Sequence, residues 1–285
     1  MDEAHALLEA GRVSQALAQA ELAASLAPLD ARTLYCLGLC EDAIGFYRRS
    51  ERTLARAAAL LGDDDVPAAG LAQPDLFGQC KEGERLAAQH LREQEFGKYH
   101  LTELYGMDLP SLLSGSAGPR PVPRLPAASF CHPFCQVKHV PGRGRGLVVT
   151  GSIAAGELLF ACKAFVMARK AHMHTTTTEK LKICSKIEYD RFFNLFDGSN
   201  GNQSMPGHLN YENRPGLDQP ECADFTRKWD EQHVKSILHL NMHSRDTLTE
   251  HGALGKDDVY GVWMLASFMN HSCHPNAERV FVGDM

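Results

Sequence analysis

Residues 266–276 read ASFMNHSCHPN, and this stretch decides what the rest of the chain is. Asn270, His271, Cys273, Pro275 and Asn276 crowd into seven residues directly behind the apolar run VYGVWMLASFM. Several chemistries need such residue types. Cys273 beside His271 or His274 could be a nucleophile with its base, but adjacency in sequence does not set that geometry. The local signatures of cysteine proteases are also missing. The same side chains could ligate a metal, yet their spacing is too tight for several of them to reach one tetrahedral zinc. A third reading is a sharp turn on which Asn270 and His271 offer backbone and side-chain polar groups to a cofactor. The plain alternative is a capped turn without a ligand, because Asn, Ser and Pro favour turns on their own.

A second stretch bears on the choice. Pro141–Thr150 reads PGRGRGLVVT, with Gly142, Gly144 and Gly146 alternating just ahead of a predicted strand. Glycines there let backbone N–H groups approach a ligand closely and form an anion-binding nest. Arg143 and Arg145 could add a charged clamp for a carboxylate. The pattern opens a strand rather than a helix, so it is not the dinucleotide-binding fingerprint. Taken alone, it also suits a Gly-rich surface turn.

The bulk numbers set bounds on both. The chain has 285 residues, 44% of them hydrophobic and 22% charged, which is enough for a sizeable core and, as a prior, about two domains. Its net charge is −6, so no global basic field draws it to nucleic acid or to an anionic membrane. No apolar run approaches the roughly 18 residues that span a bilayer, and the acidic start MDEAHALLEA has no signal-peptide pattern. Nine cysteines without regular short spacing point to a reducing compartment, cytoplasm and/or nucleus.

The N-terminal region repeats itself. Gly11 and Gly45 lie 34 residues apart, and the same offset links Ala16 to Ser50, Ala20 to Leu54, Ala23 to Ala57 and Pro28 to Gly62. A 34-residue helix–turn–helix period is the tetratricopeptide signature. Residues 79–105 return to a helical pattern, with Leu86, His90 and Leu91 on one face. LPSLLSGSAGPRPVPRLPAAS follows as a linker dense in Pro, Gly and Ser. Beyond it, RGLVVTGSIAAGELLFACKAFVMA reads as two or three short strands with tight turns. TTTTEKLKICSKIEYDRFF and FTRKWDEQHVKSILHLNMHSR read as helices, and ERVFV as a final strand. The pair Cys131 and Cys135 in CHPFC is read as reduced structural thiols rather than as half of a metal site.

Together, GRGRGL…AGELLF and LASFMNHSCHPNA strongly resemble the SET-domain family of protein lysine methyltransferases. With the repeats in front, the chain is most similar to the tetratricopeptide–SET proteins of fungal type, related to the SET–MYND branch. The resemblance implies an α+β chain: tetratricopeptide-like helical hairpins over 1–108, a Pro/Gly-rich linker over 109–128, and a mostly β SET core over 129–285. A helical insertion would run from about 170 to 258. It implies S-adenosylmethionine as cofactor, with Arg143, Gly144 and Arg145 at its methionine end and Asn270 and His271 at its adenosine part. Asn241 falls where the related branch has another cofactor-contacting Asn. Cys273 falls where that branch has one zinc ligand, completed by cysteines downstream. The implied partners are a lysine-bearing protein substrate and a peptide or protein held by the repeats, with no direct nucleic acid and no membrane.

The family pattern continues past Asn276 with an acidic turn and a tyrosine that lines the methyl-transfer site. The sequence ends at Met285 without them. The expectation is therefore a SET core incomplete at its C-terminus, with no catalytic residue assigned. The alternative is a non-catalytic protein-binding module with a degenerate SET remnant.

Overall fold

The computed structural model describes residues 2–62, 75–100, 104, 127–199, 205, 227–248, 254–282 and 284–285. These fall into two compact units, one ending at Phe96 and one running from Gly97. Residues 109–126, most of the expected linker, lie outside the described residues.

Among the described residues, the regular structure of the first unit is helical: α1 (Asp2–Glu9), α2 (Val13–Leu26), α3 (Ala31–Ile44), α4 (Tyr47–Leu61) and α5 (Leu76–Phe96). Each helix packs on the next. The 34-residue offset is visible in the backbone. Gly11 and Gly45 both take positive φ, 72° and 94°, and turn the chain between the helices of each hairpin. An L side chain rarely adopts that conformation. The offset is visible in the packing too: Ala16 and Ser50 are both fully buried, as are Ala20 and Leu54. Ser50 sits in the core because its hydroxyl donates to the Gly38 carbonyl at 2.8 Å. Gly38 lets α3 and α4 touch, since a Cβ there would stand 2.5 Å from Leu54 Cγ. Asp30 caps α3 by accepting from the Thr33 N–H.

Polar residues tie the hairpins together. Glu41 is buried, and Arg49 Nε lies 3.0 Å from its carboxylate. Burial still pushes that carboxyl above its usual range. His90 of α5 is buried, its Nδ1 3.0 Å from Asp42 Oδ1 and its ring 5.0 Å from that of Tyr47. The helix expected over 79–105 instead spans Leu76–Phe96. Gly97 stops it at φ 63°, and a Cβ there would strike the Phe130 ring at 2.8 Å.

Among the described residues, the second unit is a mixed α+β domain with three small antiparallel sheets. β1 (Phe130–Cys131) pairs with β4 (Phe160–Ala161). β2 (Cys135–Val140) and β3 (Gly144–Val149) form a hairpin. β5 (Val166–Arg169), β6 (His243–Leu248) and β7 (Leu254–Val262) form a sheet in the order β5-β7-β6. The helices are α6 (Met173–Ile183), α7 (Lys186–Phe193) and α8 (Glu231–Asn241). Ser185 and Glu188 cap α7 reciprocally, and Asp230 caps α8. The apolar faces of these helices meet the sheet in one core that includes Phe165, Leu181, Phe192, Val234, Ile237 and Val262.

Two sequence expectations change here. The helix expected over FTRKWDEQHVKSILHLNMHSR spans only Glu231–Asn241, and the insertion expected from about 170 to 258 holds β6 and the start of β7 besides its helices. β7 needs partners on both edges, and it finds β5 before the helices and β6 after them. The stretch ERVFV forms no strand. Phe281 and Val282 are met by side-chain packing, the Phe281 ring 4.6 Å from that of Trp263, while Val280 stays exposed. β-branched and aromatic composition reports half-burial, which packing meets without a ladder. Trp263 Nε1 and the Ala164 N–H both donate to the Asp284 carbonyl, at 2.9 and 2.7 Å.

Candidate functional site

The β2–β3 hairpin turns tightly at its tip. Val140 and Gly144 close the register, and the Arg143 N–H donates to the Val140 carbonyl at 2.9 Å. The turn is possible because Gly142 and Gly144 take φ of 72° and 70°. Nothing stands within 4 Å of where a Cβ would sit on either glycine. That face of the backbone is open.

Arg143 reaches from this tip to the second motif. Its Nη1 donates to the His271 carbonyl at 3.0 Å, across 128 residues of sequence. Gly146, one turn of the pleat further on, lies directly beneath Asn270. A Cβ there would fall 2.4 Å from Asn270 Nδ2. The glycine-rich hairpin and the Asn-His turn are thus one local assembly, held by a hydrogen bond and a close approach. Residues 269–276 are exposed. The turn is braced from within: Ser272 Oγ donates to the His274 carbonyl at 2.9 Å. Cys273 Sγ lies 3.4 Å from His271 Nε2.

Arg145 and Asn241 are anchored inward. Arg145 Nη1 and Nη2 donate to Asn194 Oδ1 and O, at 3.1 and 2.6 Å. The guanidinium also lies 5.1 Å over the Phe268 ring. Asn241 is buried, and its Nδ2 donates to the Phe196 and Ile237 carbonyls at 2.7 and 2.8 Å. The segment 194–196 after α7 therefore receives both side chains. The structure links Arg143 with His271, Gly146 with Asn270, and Arg145 with Asn241 through that segment. Asn194, Phe196 and Phe268 belong to this arrangement although sequence reasoning did not single them out. Asn194 and Phe196 carry no motif; Phe268 lies within the LASFMNHSC run.

Metal chemistry finds less support. Among the described residues, no group of three or more His, Cys, Asp or Glu side chains stands close enough to hold a metal ion. Cys273 stands in no such group among the described residues. Cys131 and Cys135 are buried. Burial beside Cys135 and Cys162 pushes the Cys131 thiol up to about 12, which suits inert structural thiols. A cavity of about 400 Å³ opens in the helical unit between α3 and α5, lined by Tyr35, Leu39, Gln79, Glu82 and Leu86 among others.

What the site offers is an open glycine backbone, a nearby arginine pair, and an exposed Asn-His turn. That donor set fits a ligand with a carboxylate at one end and hydrogen-bonding ring nitrogens at the other. S-adenosylmethionine has both.

Residues 144–285 match the family model of the SET domain. The chain belongs to the SET-domain family through this C-terminal half. A protein of Gibberella zeae named methyltransferase is 24% identical to it over 303 aligned positions. That alignment covers 96% of this chain, and the chain spans 38% of the relative's length. No solved structure matches. Among the described residues, no helix is long and apolar enough to cross a membrane.

Proposed function

We propose that this chain is part of the catalytic apparatus of an S-adenosylmethionine-dependent protein lysine methyltransferase. The observation that carries the reading is the joining of the two motifs, Arg143 to His271 and Gly146 to Asn270. When bound, the cofactor supplies an electrophilic methyl group on a sulfonium. The chain's own work is then alignment and shielding, because an in-line displacement depends on holding donor and acceptor in register. In this reading the hairpin tip and Arg145 take the carboxylate, and Asn270 and His271 take the adenine edge. The acceptor lysine reacts as a neutral amine, which a dry channel favours by disfavouring the ammonium form.

The 34-residue hairpin repeat supports a tetratricopeptide reading of the helical unit, with a protein or peptide partner held there. Calorimetric titration of the chain with S-adenosylmethionine and with its demethylated product tests the cofactor. Saturable binding of both, abolished by Asn270→Ala, is expected; a flat titration sinks the proposal. The acceptor is tested by labelled methyl transfer with the protein isolated from its source. Label recovered as methyl-lysine is expected, and label on any other residue type overturns that part.

A further inference from the structure

We infer that Asn194 is a positioning residue for the cofactor's carboxylate, acting by holding Arg145 as an oriented cation. The inference rests on the cofactor reading above. Arg145 sits in β3, and its guanidinium receives both an amide oxygen and a backbone carbonyl from one residue at the end of α7. The Phe268 ring lies against the same group. Two hydrogen bonds and a ring fix both the position and the plane of a guanidinium, which one contact does not.

The chemistry of the partner matters as much as its geometry. Asn194 is neutral, so its two bonds orient Arg145 without adding a negative charge beside it. Aspartate would hold the fork at least as firmly, as an ion pair, but would compete with an incoming carboxylate for the same positive charge. An amide anchors the arginine and contributes no such competition. The same short segment also takes Asn241 on the Phe196 carbonyl. Two side chains assigned to the cofactor are thus set by one stretch of the segment between β5 and β6.

Asn194→Asp separates anchoring from charge. The full chain and its variants are titrated calorimetrically with two probes, S-adenosylmethionine and 5′-methylthioadenosine. The second shares the adenosine and the sulfur but lacks the amino-acid end. Asn194→Asp is expected to keep the wild-type melting temperature and 5′-methylthioadenosine affinity. It should lose S-adenosylmethionine affinity roughly tenfold, the scale of one charge-assisted contact. Arg145→Lys keeps the charge but cannot make the fork, and should show the same selective loss. If Asn194→Asp does not fold, Asn194→Ala, which retains the backbone carbonyl, carries the comparison with a smaller selective loss expected. Affinity for S-adenosylmethionine within twofold of wild type overturns the assignment. An equal loss for both probes also overturns it, because that marks a general lesion. A wild-type chain that binds no S-adenosylmethionine overturns the cofactor reading itself, and this assignment with it.

Discussion

Gly146 shows how one missing side chain shapes the site. The space a Cβ would need is taken by Asn270 Nδ2 at 2.4 Å and Val140 Cγ2 at 2.9 Å. Asn270 is exposed and its amide is the movable end of a flexible side chain, so Gly146→Ala should push it aside rather than unfold the domain. On the proposed cofactor reading, that variant loses S-adenosylmethionine affinity by about tenfold while its melting temperature falls only a few degrees; calorimetry and thermal unfolding check the two halves. His243 makes a second prediction at this scale. Arg279 Nη1 lies 3.0 Å from its Nδ1, and burial, aided by that guanidinium, holds the ring's pKa below the usual 6.5. A depressed histidine contributes stability that is present above its unfolded pKa and is lost as pH falls, because the unfolded chain takes up the proton first. The second unit should therefore lose stability below about pH 6.5. His243→Gln, which keeps an acceptor for Arg279, should flatten that loss, as denaturant unfolding over a pH series will show.

At the scale of elements, the helical hairpins meet through glycine rather than through large interlocking side chains. Leu54 of α4 fits against Gly38 of α3 and Gly83 of α5, whose Cβ positions would lie 2.5 Å from its Cγ and 3.0 Å from its Cδ1. Gly38→Ala overfills that contact and should cost about 1–3 kcal/mol. Leu54→Ala empties it and should cost about 2–5 kcal/mol. The double variant should be less destabilised than the sum of the two, since each change makes room for the other; equilibrium denaturation of the three proteins checks this. The same elements show what the sequence disclosed. Gly11 and Gly45 were legible as a repeat because a positive-φ turn accepts little else, and the structure places both in such turns. The glycine-rich turn that opens β3 and the Asn-His turn were legible because their residue types are demanded by tight geometry, whereas β2 was not read as a strand. β6 was not legible, because its residues follow a helical pattern without a break and its strand state depends on pairing with β7. The role of Asn194 was hidden for a similar reason. It ends α7 as an ordinary C-cap residue, and the approach of Arg145 from β3, distant in sequence, gives it a further task.

At the scale of the whole chain, the two units carry separate cores, so a ligand of one should stabilise that one alone. With free S-adenosylmethionine at about 100 times its Kd, the second unit should gain about 2.7 kcal/mol. Scanning calorimetry should show its transition move while that of the helical unit stays in place; movement of both by the same amount would mean they unfold as one. The turn at Gly11 and Gly45 has a consequence for how such a chain can vary. Because the glycines stand one period apart and precede helices of similar packing, excising residues 11–44 leaves Gly45 to close the turn after α1 and delivers α4 where α2 had been. An excision a few residues shorter or longer would deliver the wrong face of α4 to α1. The helical unit can therefore lengthen or shorten in whole hairpins, like a ruler cut only at its marks, and insertions of other sizes are confined to the loops between them.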